Sequence, residues 1–182
     1  MKKKILIAVG IFILIIIIGM IYLNYRNRSL SPPGIVKYDK NDLTIEIPYG
    51  RPSKRGRLIF GTEEEGALLP YGKYWRLGAN EATEVSFSRD VLFNGESVKA
   101  GTYRMYAVPG ENEFEISLNS GLGKWGYSDP DYSLDVLKTK VPVEKSNESV
   151  EQFTFRFEEQ GSKVLIVMEW SDVKIKIPVE PQ

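Results

Sequence analysis

Hydrophobic and polar positions divide this chain into three regimes. From Ile5 to Leu23 no residue is charged and most are Ile or Leu, a pattern without a polar face. As a helix rising about 1.5 Å per residue the run reaches roughly 28 Å, close to the ~30 Å hydrocarbon core of a bilayer. From Asn24 to Lys40 polar residues surround Ser31-Pro32-Pro33-Gly34, which predicts a spacer with too little apolar surface to join a core. From Leu43 onward the period falls to two, the spacing of half-buried strands. The expected organisation is a membrane anchor over 1–28, a polar stalk over 29–42 and a β-rich domain over 43–182.

Within the domain, Thr44–Ile47 alternates and stops at Pro48, and Leu58–Phe60 reads as a short strand. Thr83–Ser88 puts Val85 and Phe87 on one face. Val91–Phe93 and Glu96–Val98 flank Asn94-Gly95, a pair suited to a type I′ hairpin whose central residues need positive φ. Thr102–Val108 sets Tyr103, Met105 and Ala107 against Arg104 and Tyr106, and Pro109–Asn112 turns the chain back into Glu113–Leu118. Leu134–Val141 reads as a strand, although Tyr132–Leu137 also fits a helical turn, and Pro142–Ser149 reads as a polar loop. Phe153, Phe155 and Phe157 share one face. Lys163–Trp170 is apolar on both faces, and Val173, Ile175 and Ile177 point one way. About ten strands at spacings of roughly 8–12 residues predict an all-β domain, an antiparallel sandwich or jelly-roll-like barrel, preceded by one N-terminal transmembrane helix.

The apolar run ends in Ile21-Tyr22-Leu23-Asn24-Tyr25-Arg26, bulky where a signal peptidase needs small residues, so a signal anchor is expected rather than a cleaved peptide. Lys2, Lys3 and Lys4 precede the run and only Arg26 and Arg28 follow it, which favours a cytoplasmic N-terminus and a domain outside the cytoplasm.

Charge refines the picture. Five of the 24 basic residues and none of the 24 acidic ones precede Ser29, so the rest carries 19 basic against 24 acidic groups, a net of −5. Such a domain lacks the basic footprint of a nucleic-acid binder. His and Cys are both absent, which removes Ser-His-Asp and Cys-His nucleophiles, imidazole or thiolate zinc sites, disulfides and N-terminal lipidation on cysteine. No cofactor and no metal is assigned. Carboxylate, Lys, Tyr or Ser chemistry, an oxygen-ligand metal, or binding alone, remains.

The densest concentration of chemistry is Tyr71-Gly-Lys-Tyr-Trp-Arg-Leu-Gly-Ala-Asn-Glu81. Gly78-Ala79 leaves room for another backbone or a ligand to approach. Trp75, Arg76, Asn80 and Glu81 around that gap suit recognition of a polar ring, with an aromatic face, a guanidinium fork, an amide and a carboxylate. Strand parity places Glu81 with Thr83, Val85 and Phe87 at the core edge, where it needs a partner, and Arg76 is the nearest in sequence. The bland alternative fits the same residues: Trp75 in the core, an Arg76–Glu81 ion pair, and Asn80 in a turn at positive φ. Asn119–Pro130, rich in glycine around Trp125, reads either as a functional loop or as a lid over the sheet.

Arg51-Pro52-Ser53, Gly56-Arg57, the block from Pro70 to Thr83, Asn94-Gly95, Ala100-Gly-Thr-Tyr103 and Val108-Pro-Gly110 together resemble an uncharacterised bacterial family catalogued as domain of unknown function 2911. The similarity runs from about Ile45 to Val179. Many members carry Thr where this chain has Leu77. The resemblance implies a β-rich domain of the bacterial cell envelope and supplies no reaction. It adds Arg51 and Tyr103 to the candidates, so the ligand-binding set is Arg51, Trp75, Arg76, Asn80, Glu81, Tyr103 and Trp125. The leading expectation is an anchored β-domain, held to the membrane through Ile5–Leu23, that binds a small polar or glycan-like ligand. A carboxylate-dependent hydrolase such as a glycosidase, with Glu81 and either Glu84 or Asp135, and a structural or partner-binding module are the alternatives.

Overall fold

The computed structural model describes residues 2–123 and 125–182. Helix α1 (Lys2–Leu30) buries none of its side chains and is apolar around its circumference over Ile5–Leu23. It is long and apolar enough to cross a membrane once, which fits an anchor or a signal sequence.

Among the described residues eleven strands follow: β1 (Pro33–Lys40), β2 (Leu43–Gly50), β3 (Phe60–Gly61), β4 (Leu69–Pro70), β5 (Glu84–Phe87), β6 (Val91–Phe93), β7 (Glu96–Val98), β8 (Gly101–Val108), β9 (Glu113–Asn119), β10 (Asp135–Gln160) and β11 (Lys163–Pro181). Nine form one sheet in the order β1-β2-β5-β8-β9-β10-β11-β6-β7, and β3 pairs with β4 in parallel. All pairings in the large sheet are antiparallel, and it does not close into a barrel.

The long strand β10 makes the sandwich. Its first part, Asp135–Pro142, pairs with β9, and the part from Val143 to Gln160 pairs with β11, with irregular register between Lys145 and Thr154. A strand that changes layers bends at such irregularities. Pro142–Ser149, expected as a loop, is therefore part of β10, and its polar composition reflects an exposed bend rather than a chain break. Tyr132–Leu134 forms a single 3-10 turn, capped by the Asp131 carboxylate accepting from the Ser133 N–H at 3.0 Å. The Asn94-Gly95 turn has φ of 50° and 87°, as the hairpin requires.

The expected stalk is also corrected. Residues 33–40 form β1, fully paired with β2 from Pro33↔Gly50 to Lys40↔Leu43. Only Tyr38 of β1 is buried, so the strand is held by its ladder, and an edge position lets such a polar sequence pair.

The core joins Ile45, Ile47, Val85, Phe87, Met105, Phe114, Ile116, Phe153, Phe155, Ile166 and Ile175 in one cluster. Its centre is aromatic: Trp75 stacks on Trp170 at 6.0 Å between centroids, with Phe153 and Phe60 edge-on at 5.0 and 5.4 Å. The Tyr49 hydroxyl accepts the Phe155 N–H at 3.1 Å and ties β2 to β10 across the sandwich.

Candidate functional site

The Trp75–Glu81 block is a loop pinned at both ends to sheet strands. Trp75 exchanges backbone hydrogen bonds with Ala107 of β8, at 2.8 and 2.9 Å. At the other end the Thr83 hydroxyl donates to the Leu77 carbonyl at 2.5 Å, and Thr83 accepts the Met105 N–H at 2.8 Å. Between these points Leu77 and Asn80 take φ of 56° and 67°. Asn tolerates the left-handed region, whereas Leu77 is held there by full burial in the core.

The close approach expected at Gly78-Ala79 is made by protein backbone. A Cβ on Gly50 would lie 2.1 Å from the Ala79 carbonyl oxygen, and one on Gly78 would lie 2.7 Å from the Gly50 oxygen. The end of β2 thus crosses the loop with no space for a side chain on either strand of the crossing. That gap holds no ligand.

The expected Arg76–Glu81 pair does not form. β5 begins only at Glu84, so the parity that buries Thr83, Val85 and Phe87 does not extend back to Glu81, which is exposed. Glu81 instead forms an ion pair with Arg28 in the last turn of α1. Asn80 Nδ2 donates to the Ser31 carbonyl at 3.3 Å, and Arg55 Nη2 caps the Leu30 carbonyl at 3.0 Å. Arg51 lies over Gly34 and donates to the Pro33 carbonyl at 3.3 Å. Arg51, Asn80 and Glu81 therefore fasten the segment that leaves the helix. Tyr103 is remote from this work, donating its hydroxyl to the Lys99 carbonyl at 2.9 Å.

Arg76 faces the other way, into a cleft of about 630 Å³ that also takes in Arg57, Lys73, Tyr74, Tyr127 and Asp129. Its Nη1 donates to the Asn80 carbonyl at 3.2 Å, and its guanidinium lies 5.9 Å from the Tyr127 ring centroid. No carboxylate among the described residues forms an ion pair with it. Burial pushes its pKa down, and the positive charge of Arg104 adds to the effect. Trp75 and Trp170 close the floor of the cleft, but Trp75 is only 3% exposed and presents no free face for stacking. Tyr74 and Tyr127 are the aromatic surfaces that a ligand could meet.

Behind Tyr74 stands a second guanidinium. Arg104 is 2% exposed, although alternation along β8 puts it on the outer face with Tyr106. Ser128, which accepts from Arg104, and Tyr132, which packs on Tyr106, lie over that face, so the loop is a lid in this respect, yet its Trp125 is half-exposed. Arg104 Nη2 donates to the Tyr74 hydroxyl at 2.5 Å and to the Ser128 carbonyl at 2.7 Å, while Nε has no acceptor. It too lacks an ion-pair partner among the described residues. It borders a smaller cavity of about 400 Å³ together with Asn119, Asp129 and Asp131. Burial raises the pKa of Tyr74, with the Arg104 hydrogen bond opposing, so the phenol stays protonated and donates onward to the Gly126 carbonyl at 3.2 Å. Arg57, Tyr74, Arg104 and Tyr127 lie outside the expected site set; Arg57 belongs to a basic run, 51–57, that reads as a solvated loop balanced by Glu63–Glu65, and Tyr74 to the block from Tyr71 to Glu81. The signal for them is two aromatics and two cations within Lys73–Arg76, followed in the chain by a glycine-rich loop long enough to reach β8.

The profile of a family described as "Protein of unknown function (DUF2911)" matches residues 31–179. The chain belongs to that family. The DUF2911 match includes β1, in keeping with its place in the sheet, and leaves out α1. No curated protein and no solved structure shows significant similarity to the chain.

The DUF2911 domain offers little for a carboxylate hydrolase. Glu81 and Glu84 border one largely apolar pocket, but Glu81 is engaged by Arg28 and Glu84 accepts the Gly123 N–H at 3.0 Å. Asp135 is held elsewhere by Tyr106, Asn119 and Lys138 at 2.7, 2.7 and 3.1 Å. Among the described residues no group of three carboxylates converges to hold a metal ion.

Proposed function

We propose that this DUF2911 domain is a binding module for a small anionic molecule bearing carboxylate or phosphate groups, taken up in the cleft at Tyr74 and Arg76. α1 anchors it as a single-pass helix with Lys2–Lys4 on the cytoplasmic side and the domain outside, in the cell envelope. The observation that carries the ligand class is a pair of guanidinium groups near Tyr74, Arg76 half-buried in the cleft and Arg104 buried and bonded to the Tyr74 hydroxyl, neither of them in an ion pair among the described residues. Buried charge without a partner is costly, and an anion in the cleft would relieve the mutual repulsion. Arg57 at the rim adds positive charge against the carboxylate of Asp129, whereas Lys73 is paired with Glu63 at 3.7 Å. The planar fork of Arg76 suits a bidentate carboxylate or phosphate, and Tyr127 offers a face for an attached ring.

The same block also acts as a staple, because the Gly50 crossing and the ties to 28–34 are needed for the fold whatever the cleft contains.

Titration of the full chain in detergent micelles with citrate, inorganic phosphate and neutral lactose tests the ligand class through tryptophan emission, since Trp75 and Trp170 floor the cleft. At least one of the two anions should change the emission saturably, with lactose inactive. Arg76→Met should weaken that binding about 10- to 100-fold, the loss of one charged hydrogen-bonding group worth roughly 1.5–3 kcal/mol. A saturable response to lactose alone, or equal anion affinity in the variant, would refute the assignment.

A further inference from the structure

We infer that the glycine-rich loop around Trp125 rests in the headgroup layer of the membrane, so that the domain sits on the bilayer instead of swinging from it. The inference relies on the anchor reading of α1. Four apolar side chains, Ile35 of β1 and Leu122, Trp125 and Tyr127 of the loop, are poorly covered, at 66%, 42%, 51% and 79% exposed. Ile35 and Trp125 border the same largely apolar pocket as Arg28, which belongs to the end of α1.

The geometry fixes the height of this surface. Arg28 lies five residues beyond Leu23, the last residue of the apolar run, which places it about 7.5 Å past the hydrocarbon edge along the helix axis. The headgroup layer is roughly 5–8 Å thick on each side of the bilayer. Arg28 pairs with Glu81, and Glu81 is bridged through its backbone to Trp125. The Gly126 N–H donates to the Asn80 carbonyl at 3.0 Å. Arg55 and Asn80 bind the Leu30 and Ser31 carbonyls. These ties hold the loop beside the helix end, at the level where tryptophan and tyrosine rings settle, apolar body toward the chains and polar edge toward water. Tyr25, 72% exposed on α1, lies in the same zone. A lipid surface is the one occupant that such a position must meet.

Trp75 and Trp170 are 3% and 2% exposed, so Trp125 is the one tryptophan open to a quencher. The full chain is reconstituted in phosphatidylcholine–phosphatidylglycerol vesicles, floated on a density gradient, and exposed either to aqueous iodide or to lipids carrying a shallow nitroxide. The lipid-borne quencher should remove the larger share of emission, iodide the smaller, and Trp125→Phe should abolish the lipid-dependent part. A floated chain whose emission is quenched mainly by iodide overturns the inference and leaves the anchor standing. A chain that fails to float overturns the anchor reading and this inference together.

Discussion

Gly50→Ala probes the backbone crossing on which both halves of the site depend. The new Cβ would stand 2.1 Å from the Ala79 carbonyl oxygen and 2.9 Å from its carbonyl carbon. Relief requires a separation of roughly 1 Å between two backbones, neither of which has a flexible end to yield. Moving the loop strains the Thr83–Leu77 hydrogen bond at 2.5 Å, and moving β2 strains the Pro33↔Gly50 pairing. Overpacking typically costs 1–3 kcal/mol and each weakened hydrogen bond about 1 kcal/mol, so a loss of about 3 kcal/mol is expected. For a domain of this size that lowers Tm by about 6–12 °C. Circular-dichroism melts of the full chain in micelles measure it, with Gly66→Ala as reference. Gly66 has φ of 73° and open space around its Cβ position, so its variant carries backbone strain of about 1–2 kcal/mol without a clash. A Gly50→Ala protein that melts no lower than Gly66→Ala would refute the crossing.

Other outcomes follow from single contacts. Tyr49→Phe keeps the aromatic packing on Phe153 and Phe155 but leaves the buried Phe155 N–H without its acceptor, and should cost about 1–3 kcal/mol in urea unfolding. Glu169 experiences burial, which raises its pKa, but Arg156 and Lys174, each at 2.9 Å, overcome this and hold the carboxyl below its ordinary value of 4.5. A depressed folded pKa gives stability that is present above the unfolded value and lost as pH falls through the folded one. Glu169→Gln should therefore lower Tm at pH 7 and flatten the fall in Tm below about pH 4.5.

Much of the sheet could be read from residue order because period two is a local signal. Val85, Phe87, Phe114, Ile116, Phe153 and Phe155 are buried as alternation requires, and Asn94-Gly95 forms its hairpin. What escaped depends on partners distant in sequence. Arg104 and Tyr106 occupy the outward phase of β8 and are buried under Ser128 and Tyr132 of the following loop, a covering that alternation within β8 does not encode. β1 looks like a stalk because its stability comes from the β2 ladder rather than from apolar side chains. Glu81 was assigned to Arg76 by proximity in sequence, whereas the fold brings Arg28 from fifty-three residues away. Within the block from Trp75 to Glu81 the placements divide: Trp75 and Leu77 lie in the core, Asn80 and Glu81 at the helix exit, and Arg76 in the cleft.

The central claim, that two unneutralised guanidinium groups await an anion, is tested most directly by the anion dependence of Tm in the full chain and in the Arg76→Met, Arg104→Met double variant. Citrate or phosphate is added at constant ionic strength. Both salts stabilise proteins generally by exclusion from their surface, so the variant supplies the baseline. At a hundredfold excess over Kd a specific anion adds about 2.7 kcal/mol, or roughly 5–11 °C. The account predicts that increment in the wild-type chain and its loss in the variant. Equal increments in a folded variant and the wild type would contradict it.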